Sequence, residues 1–182
     1  MKVCIIGNSL TSLALAKVLV NKEIFVDIFY KNKNLNIDKT RTIGISKSNI
    51  EYFNQNISNI SKILWPIKKI KIFSEISKNE EIINFEDQNN LFSIVKNYEI
   101  YNQLATELSK SKYYKSIKNF KFKELLKKNY NLFVNCESDN EITKKFFSRR
   151  FEKKYNSCAF TTIIKHKELA INDTAVQFFT KN

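Results

Sequence analysis

The first thirty residues leave this chain little choice of fold. Val3–Ile6 is a short apolar run ending on Gly7, and Ile24–Tyr30 is a second, β-rich run. Between them Leu10, Leu13, Leu15, Val18 and Leu19 mark the apolar positions of a helix, with Ser9 or Thr11 placed to cap it. A strand that is apolar throughout is buried on both faces, as in a parallel sheet. Two such strands joined by a helix form a β-α-β unit with a right-handed crossover. The turn reads GNSLTS, Gly7 to Ser12. Dinucleotide-binding turns carry G-x-G-x-x-G there: one glycine for the tight turn, one for approach of the pyrophosphate, one for helix–strand packing. Here Ser9 and Ser12 hold the second and third places. The hexapeptide alone fits a dinucleotide turn that tolerates serines, a decayed one, or a strand-turn-helix without a ligand.

Downstream the pattern changes. Lys31–Thr42 is a polar loop carrying Arg41, and Ser48–Ile60 has helical spacing through Ile50, Phe53 and Ile57. Proline disfavours helix at the residue before it, so Trp65-Pro66 ends that section. Ile67–Phe73 alternates and Ile82–Phe85 follows, as in an antiparallel sheet; Leu91–Val95 is another short apolar stretch. Tyr98–Leu108 has helical spacing, Leu132–Cys136 is a third buried strand, and Glu141–Phe147 is a short helix. Ala159–Ile164 and Ala175–Phe179 read as strands. With 2 glycines and 1 proline, the turns rely on Asn, Asp and Ser. The expected class is α/β: a parallel sheet first, with antiparallel strands inserted.

Composition removes several functions. No apolar run reaches the roughly 18–20 residues of a membrane span, and the segment after Lys2 runs into a strand rather than a cleavage site. The expected location is cytoplasmic. Cys4, Cys136 and Cys158 are far apart and read as buried reduced thiols; with His166 the one histidine, no metal site is expected. His166 reads as a strand or loop histidine, and no catalytic residue is assigned. The net charge of +13 raises nucleic-acid binding, but only Arg41, Arg149 and Arg150 among the 31 basic residues are arginine, the preferred reader of phosphates and bases. Lys, Asn, Ile and Phe make up about half the chain, a bias that A/T-rich codons supply. The lysines are spread along the chain, and the densest patch, Lys121–Lys128, reads as a solvated face. No specific nucleic-acid partner is expected.

The order of the segments resembles the amino-terminal half of the FAD-dependent aromatic hydroxylases, the p-hydroxybenzoate hydroxylase-like group, most closely its ubiquinone-biosynthesis branch. CIIGNSLTSLALAKVL, DKTRTIGISKSNIEYF, WPIKKIKIF, VKNYEIYNQLATEL and LFVNCES follow in the family's order, and YNSCAF carries its Tyr-x-x-x-Ala spacing. The resemblance implies a Rossmann-like FAD-binding portion over residues 1–64 and 96–150. It also implies part of a substrate-domain sheet over 65–95 and 151–182. The family's Gly-Pro-Leu segment and Gly-Asp motif would lie beyond Asn182, so only the amino-terminal portion is expected here.

For the site, the resemblance implies that Gly7, Ser9, Leu10 and Ser12 surround the ADP part of FAD. Tyr30 stands where an acidic residue usually meets the adenosine ribose, because Asp27 falls three residues early and points elsewhere by strand alternation. Arg41 matches an arginine near the flavin and its phosphates. Gln103, with Asn102, offers a polar contact from its helix. Glu137-Ser138 stands at an Asp-Gly motif that shapes the flavin and NAD(P)H sites, with the acid kept in type and the glycine lost. The implied activity is hydroxylation of an aromatic or polyprenylated quinone precursor, with NAD(P)H as reductant and the cofactor carrying the chemistry. A non-catalytic or cofactor-weakened relative is the alternative. Peripheral membrane or biosynthetic-complex association is the implied partnership.

Overall fold

A computed structural model describes residues 1–31, 39–77, 80–125, 127–147, 151, 153–164 and 173–180. The expected β-α-β unit is present: β1 (Lys2–Ile6), α1 (Leu10–Asn21) and β2 (Phe25–Tyr30), with β1 and β2 parallel. Two further parallel strands, β8 (Tyr114–Lys118) and β9 (Leu132–Asn135), complete a sheet of order β8-β2-β1-β9. The order reverses direction at β1, the topological switch point of a doubly wound sheet.

Alternation along the strands sends their side chains into two cores. Val3, Ile5, Val26 and Ile28 pack against α1 and α3 (Asn97–Ser109), with Leu13, Ala16, Ile100, Leu104 and Leu108 closing that layer. Cys4, Ile6 and Phe29 face the other way, against Phe122 and Leu125 of α4 (Phe122–Leu125). Helix α1 is apolar all round, so its sequence did not single out the face it buries. That face is Ser12, Leu13, Ala16 and Val20, while Leu15, Val18 and Leu19 are half-buried.

The antiparallel strands form two sheets. β3 (Thr42–Ser46) and β4 (Trp65–Ile67) flank β7 (Phe92–Lys96). In the other, β5 (Lys69–Ser74) lies between β6 (Glu81–Glu86), antiparallel, and β10 (Thr174–Phe179), parallel. The run expected as one strand over Ile67–Phe73 is therefore divided at Lys68 between two sheets. The β3-β7-β4 sheet also takes strands from both sides of the expected boundary at residue 64. Helix α2 (Lys47–Asn56) is shorter than expected and ends at Ile57, while α5 (Glu141–Phe146) matches its expectation closely.

Two expectations are corrected. Ala159–Ile164 has no regular structure and is exposed, because its apolar residues have no strand partner among the described residues. Of the cysteines only Cys4 is buried; Cys136 is intermediate and Cys158 exposed, and all three are free thiols. Burial, with Asp27 adding to it, pushes the Cys4 thiol up to about 12. His166, Arg149, Arg150, Asp38 and most of the 31–42 loop lie outside the described residues. No helix among the described residues is long and apolar enough to cross a membrane, and no metal-binding cluster occurs among them.

Candidate functional site

The carboxyl ends of β1 and β9 open onto the crevice where ligands bind in sheets of this kind. The GNSLTS turn lies there, and its first residue is a glycine for a backbone reason. Gly7 has φ +113°, a conformation that side-chain-bearing residues avoid. Its amide donates to Phe29 O at 2.8 Å, which fixes the turn to β2.

The two serines take different roles. Ser9 is the N-cap of α1; its Oγ accepts from the Ser12 amide at 3.4 Å and lies 3.2 Å from Ser12 Oγ. Ser12 is fully buried, and a Cβ on Gly7 would come within 3.3 Å of its hydroxyl. A small side chain thus keeps α1 close to β1, as the third glycine does in the standard motif. Leu10 opens the helix and packs on the main core. The first amides of an α-helix have no partner within it, so the Leu10–Thr11 end presents donors toward the crevice.

Tyr30 ends β2, half-buried and packed on the main core. Its carbonyl accepts from Asn119 N at 3.2 Å. The hydroxyls of Tyr101 and Tyr114 lie within its electrostatic reach. Burial raises both of those phenols above the ordinary tyrosine range, and Asn8 hydrogen-bonds the Tyr101 side chain against that trend. Asn8 and Tyr101 were not among the expected site residues; the position of Asn8 directly after Gly7 was the available signal. Asp27 does point to the other face, as alternation required. It is buried, accepts from Tyr130 Oη at 2.5 Å, and pairs with Lys2 Nζ at 2.8 Å.

Arg41 is exposed just before β3, and its carbonyl accepts from Asn97 N at 3.0 Å, which sets it beside the start of α3. No ion pair engages it among the described residues. Gln103 is engaged by groups of the chain itself. Its Nε2 lies 2.7 Å from Ser58 Oγ, 2.8 Å from Asn59 O and 3.2 Å from Glu107 Oε1, so its donors are committed within the protein. Ser58 also donates to Glu107 at 2.6 Å, and Lys17 of α1 pairs with Glu107 at 3.2 Å. Burial opposes ionisation of Glu107, but the bonds from Ser58, Lys17 and Gln103 outweigh it and hold the carboxyl below its usual range. This network ties α1, α3 and the segment after α2 together.

Glu137 follows β9. Its backbone is fixed by Asn135 and Thr143: Asn135 Oδ1 accepts from its amide at 3.3 Å, and Thr143 Oγ1 donates to its carbonyl at 2.9 Å. Its stem lies over the glycine turn, where a Cβ on Gly7 would meet Glu137 Cγ at 2.9 Å.

These positions test the fit of a dinucleotide. The backbone fits: a positive-φ glycine, a helix N-terminus and a switch point converge. A second feature is a cavity of about 620 Å³ between the β3-β7-β4 sheet, residues 162–164 and the start of β10. Trp65, Ile67, Ile94 and Ile163 give it apolar walls, with Lys96 and Glu99 at one side.

No family model matches the chain, and no curated protein matches it by sequence. Solved structures do share its fold. The p-nitrophenol 4-monooxygenase PnpA of Pseudomonas putida DLL-E4 aligns with TM-score 0.53 at 13% identity, over 64% of this chain and 31% of its own. HpxO of Klebsiella pneumoniae, solved with FAD and uric acid, gives 0.50 at 14% identity, over 64% and 30%. PqsL of Pseudomonas aeruginosa, solved with 2-aminobenzoylacetate, gives 0.53 at 8% identity, over 65% and 33%. The fold is that of these proteins, and the chain spans about a third of their length.

Proposed function

We propose that this chain is the nucleotide-binding portion of an FAD-dependent aromatic monooxygenase, one that hydroxylates an aromatic or polyprenylated quinone precursor with NAD(P)H as reductant. The observation that carries the reading is the Gly7 turn, φ +113°, at the switch point of a four-stranded parallel sheet. The fold shared with PnpA and with FAD-bound HpxO adds to it. FAD, when bound, supplies the redox chemistry; the chain's residues hold and shield it. Gly7 and the Leu10 end of α1 would receive the ADP part, with Ser9 and Ser12 shaping the turn. Tyr30 would meet the ribose, and Arg41 and Glu137 would border the site. Residues 1–64 and 96–150 would form the nucleotide-binding portion, and 65–95 with 151–182 the start of the substrate portion. The apolar cavity lined by Trp65 and Ile94 adjoins that second portion. A cytoplasmic protein associated with the membrane surface suits a polyprenylated substrate.

A second reading, a cofactor-weakened or non-catalytic relative, is favoured by the commitment of Gln103 to Ser58 and Glu107. Purification of the protein from cells separates the two. Copurifying flavin that NAD(P)H bleaches, and that reoxidises with turnover of an aromatic substrate, is the outcome of the first. Protein without flavin, and without reduction when FAD is added, is the outcome of the second.

A further inference from the structure

We infer that the face of the parallel sheet opposite α1 and α3 docks on an anionic lipid surface, through lysines set over a row of aromatic rings. The inference rests on the membrane-surface part of the proposed function and names the face that serves it. Much of the chain's charge is gathered here. From Lys110 to Tyr130, 21 residues carry eight lysines against one acid, Glu124, which is +7 of the net +13. All eight lysines are exposed. The segment runs along the edge strand β8 and then folds back over the second core through α4. Lys115 stands on that face by register, level with Asp27 of β2.

Beneath the lysines the rings form a continuous row. Phe122 meets Phe120 edge to face at 4.9 Å, Phe120 meets Phe29 at 5.4 Å, Phe29 meets Tyr130 at 6.1 Å, and Tyr130 meets Phe133 at 5.5 Å. Phe29 and Phe122 are buried, while Phe120 and Tyr130 are half-buried and Phe133, level with Cys4 on the same face, is 37% exposed. Lysine stems lie across this row. Lys31 Nζ is 4.7 Å from the centre of the Phe122 ring, Lys128 Nζ 5.1 Å from that of Phe29, and Lys2 Nζ 5.1 Å from that of Tyr130. Rings at the surface with ammonium groups held above them suit the headgroup layer, apolar stems toward the acyl chains and charges among the phosphates. The acids of the face leave the charge in place. Asp27 is buried and held by Lys2 and Tyr130, Glu124 faces Lys121 at 3.7 Å, and Glu141 faces Lys31 at 3.6 Å. Lys115, Lys118, Lys123, Lys127 and Lys128 have no acid partner among the described residues. A nucleic acid fits less well. The rings turn their edges to one another under lysines instead of opening a face to a base, and no arginine stands between Lys110 and Tyr130.

Near an anionic leaflet each lysine contributes about fivefold in partitioning. The test is cosedimentation of the full chain with vesicles of phosphatidylcholine containing about one-third phosphatidylserine, at physiological salt. One variant combines Lys118→Gln, Lys123→Gln and Lys127→Gln. A charge-matched variant combines Lys22→Gln, Lys47→Gln and Lys68→Gln, exposed positions at the end of α1, on α2 and between β4 and β5. Circular dichroism melting establishes that each is folded. The wild type is expected to bind these vesicles and not those of phosphatidylcholine alone. The first triple variant should bind at least tenfold more weakly, and the matched one within about threefold of the wild type, because salt screens charges away from the contact. A wild type that does not bind overturns the inference. So does an equal loss in both variants, which reports net charge alone, or single-stranded RNA that binds more tightly than the vesicles and displaces them. FAD titration of the same proteins keeps the readings apart. FAD uptake without vesicle binding overturns the docking face and leaves the cofactor reading standing. Vesicle binding that the first triple loses, with no FAD uptake, leaves the docking face standing and overturns the cofactor reading.

Discussion

Replacing Gly7 with alanine isolates what the turn requires of its backbone. At φ +113° a side chain costs about 1–3 kcal/mol in backbone strain alone. The new methyl would also stand 2.9 Å from Glu137 Cγ, 3.3 Å from Ser12 Oγ and 3.5 Å from the Cys136 carbonyl carbon. The Glu137 stem must turn aside to make room. Ser12 is buried and Cys136 presents backbone, so part of the overlap remains and adds about 1 kcal/mol. The sum is about 2–4 kcal/mol, which for a chain of this size lowers Tm by roughly 4–16 °C. Gly44 is the matched control: a Cβ there would meet only the Phe92 ring, at 3.5 and 3.7 Å, ordinary contact distances. Gly44→Ala should melt within about 2 °C of the wild type, or slightly above it. The assay is circular dichroism melting of the three proteins side by side. A Gly7→Ala protein that melts with the wild type would refute the claim that the turn depends on a positive-φ residue.

Other perturbations follow from the same packing. Leu104→Ala, fully buried between α3 and the parallel sheet, should cost about 2–5 kcal/mol in urea unfolding. Tyr130→Phe removes the hydroxyl bound to buried Asp27 and should cost about 1.5–3 kcal/mol by the same measurement. Glu107 has a folded pKa below its unfolded value, so its contribution is present above the usual carboxylate range and is lost as pH falls through the lowered value. Acid melting of Glu107→Gln should therefore be less steep with pH than that of the wild type. Val176 is 52% exposed on the uncharged edge strand β10; Val176→Lys should reduce light scattering on concentration without lowering Tm by more than about 2 °C.

The parallel sheet was legible because apolar runs bounded by glycine and polar turns admit few other structures. The edge strand β8, YKSIK, carries no strand signal of its own, since its exposed lysines and serine break the apolar pattern. The division of β4 from β5 falls where Lys68-Lys69 shifts the phase of the alternation, and the pairing of β4 with β7 and of β5 with β6 separates them. Ala159–Ile164 shows the converse, since an apolar sequence makes a strand only where a partner offers its backbone. At the site, the glycine position and the face of Asp27 followed from local rules. The commitment of Gln103 to Ser58, 45 residues away, and the reach of Glu137 over Gly7 are long-range contacts that spacing does not encode.

The central claim, that the Gly7 turn receives the ADP part of FAD, is tested most directly by an equilibrium titration of the protein with FAD followed by flavin fluorescence, with ADP and riboflavin as competitors. The account predicts saturable binding that ADP reverses and riboflavin does not, and that Gly7→Ala weakens at least tenfold. Absence of saturable binding, or binding that riboflavin displaces and ADP does not, would contradict it.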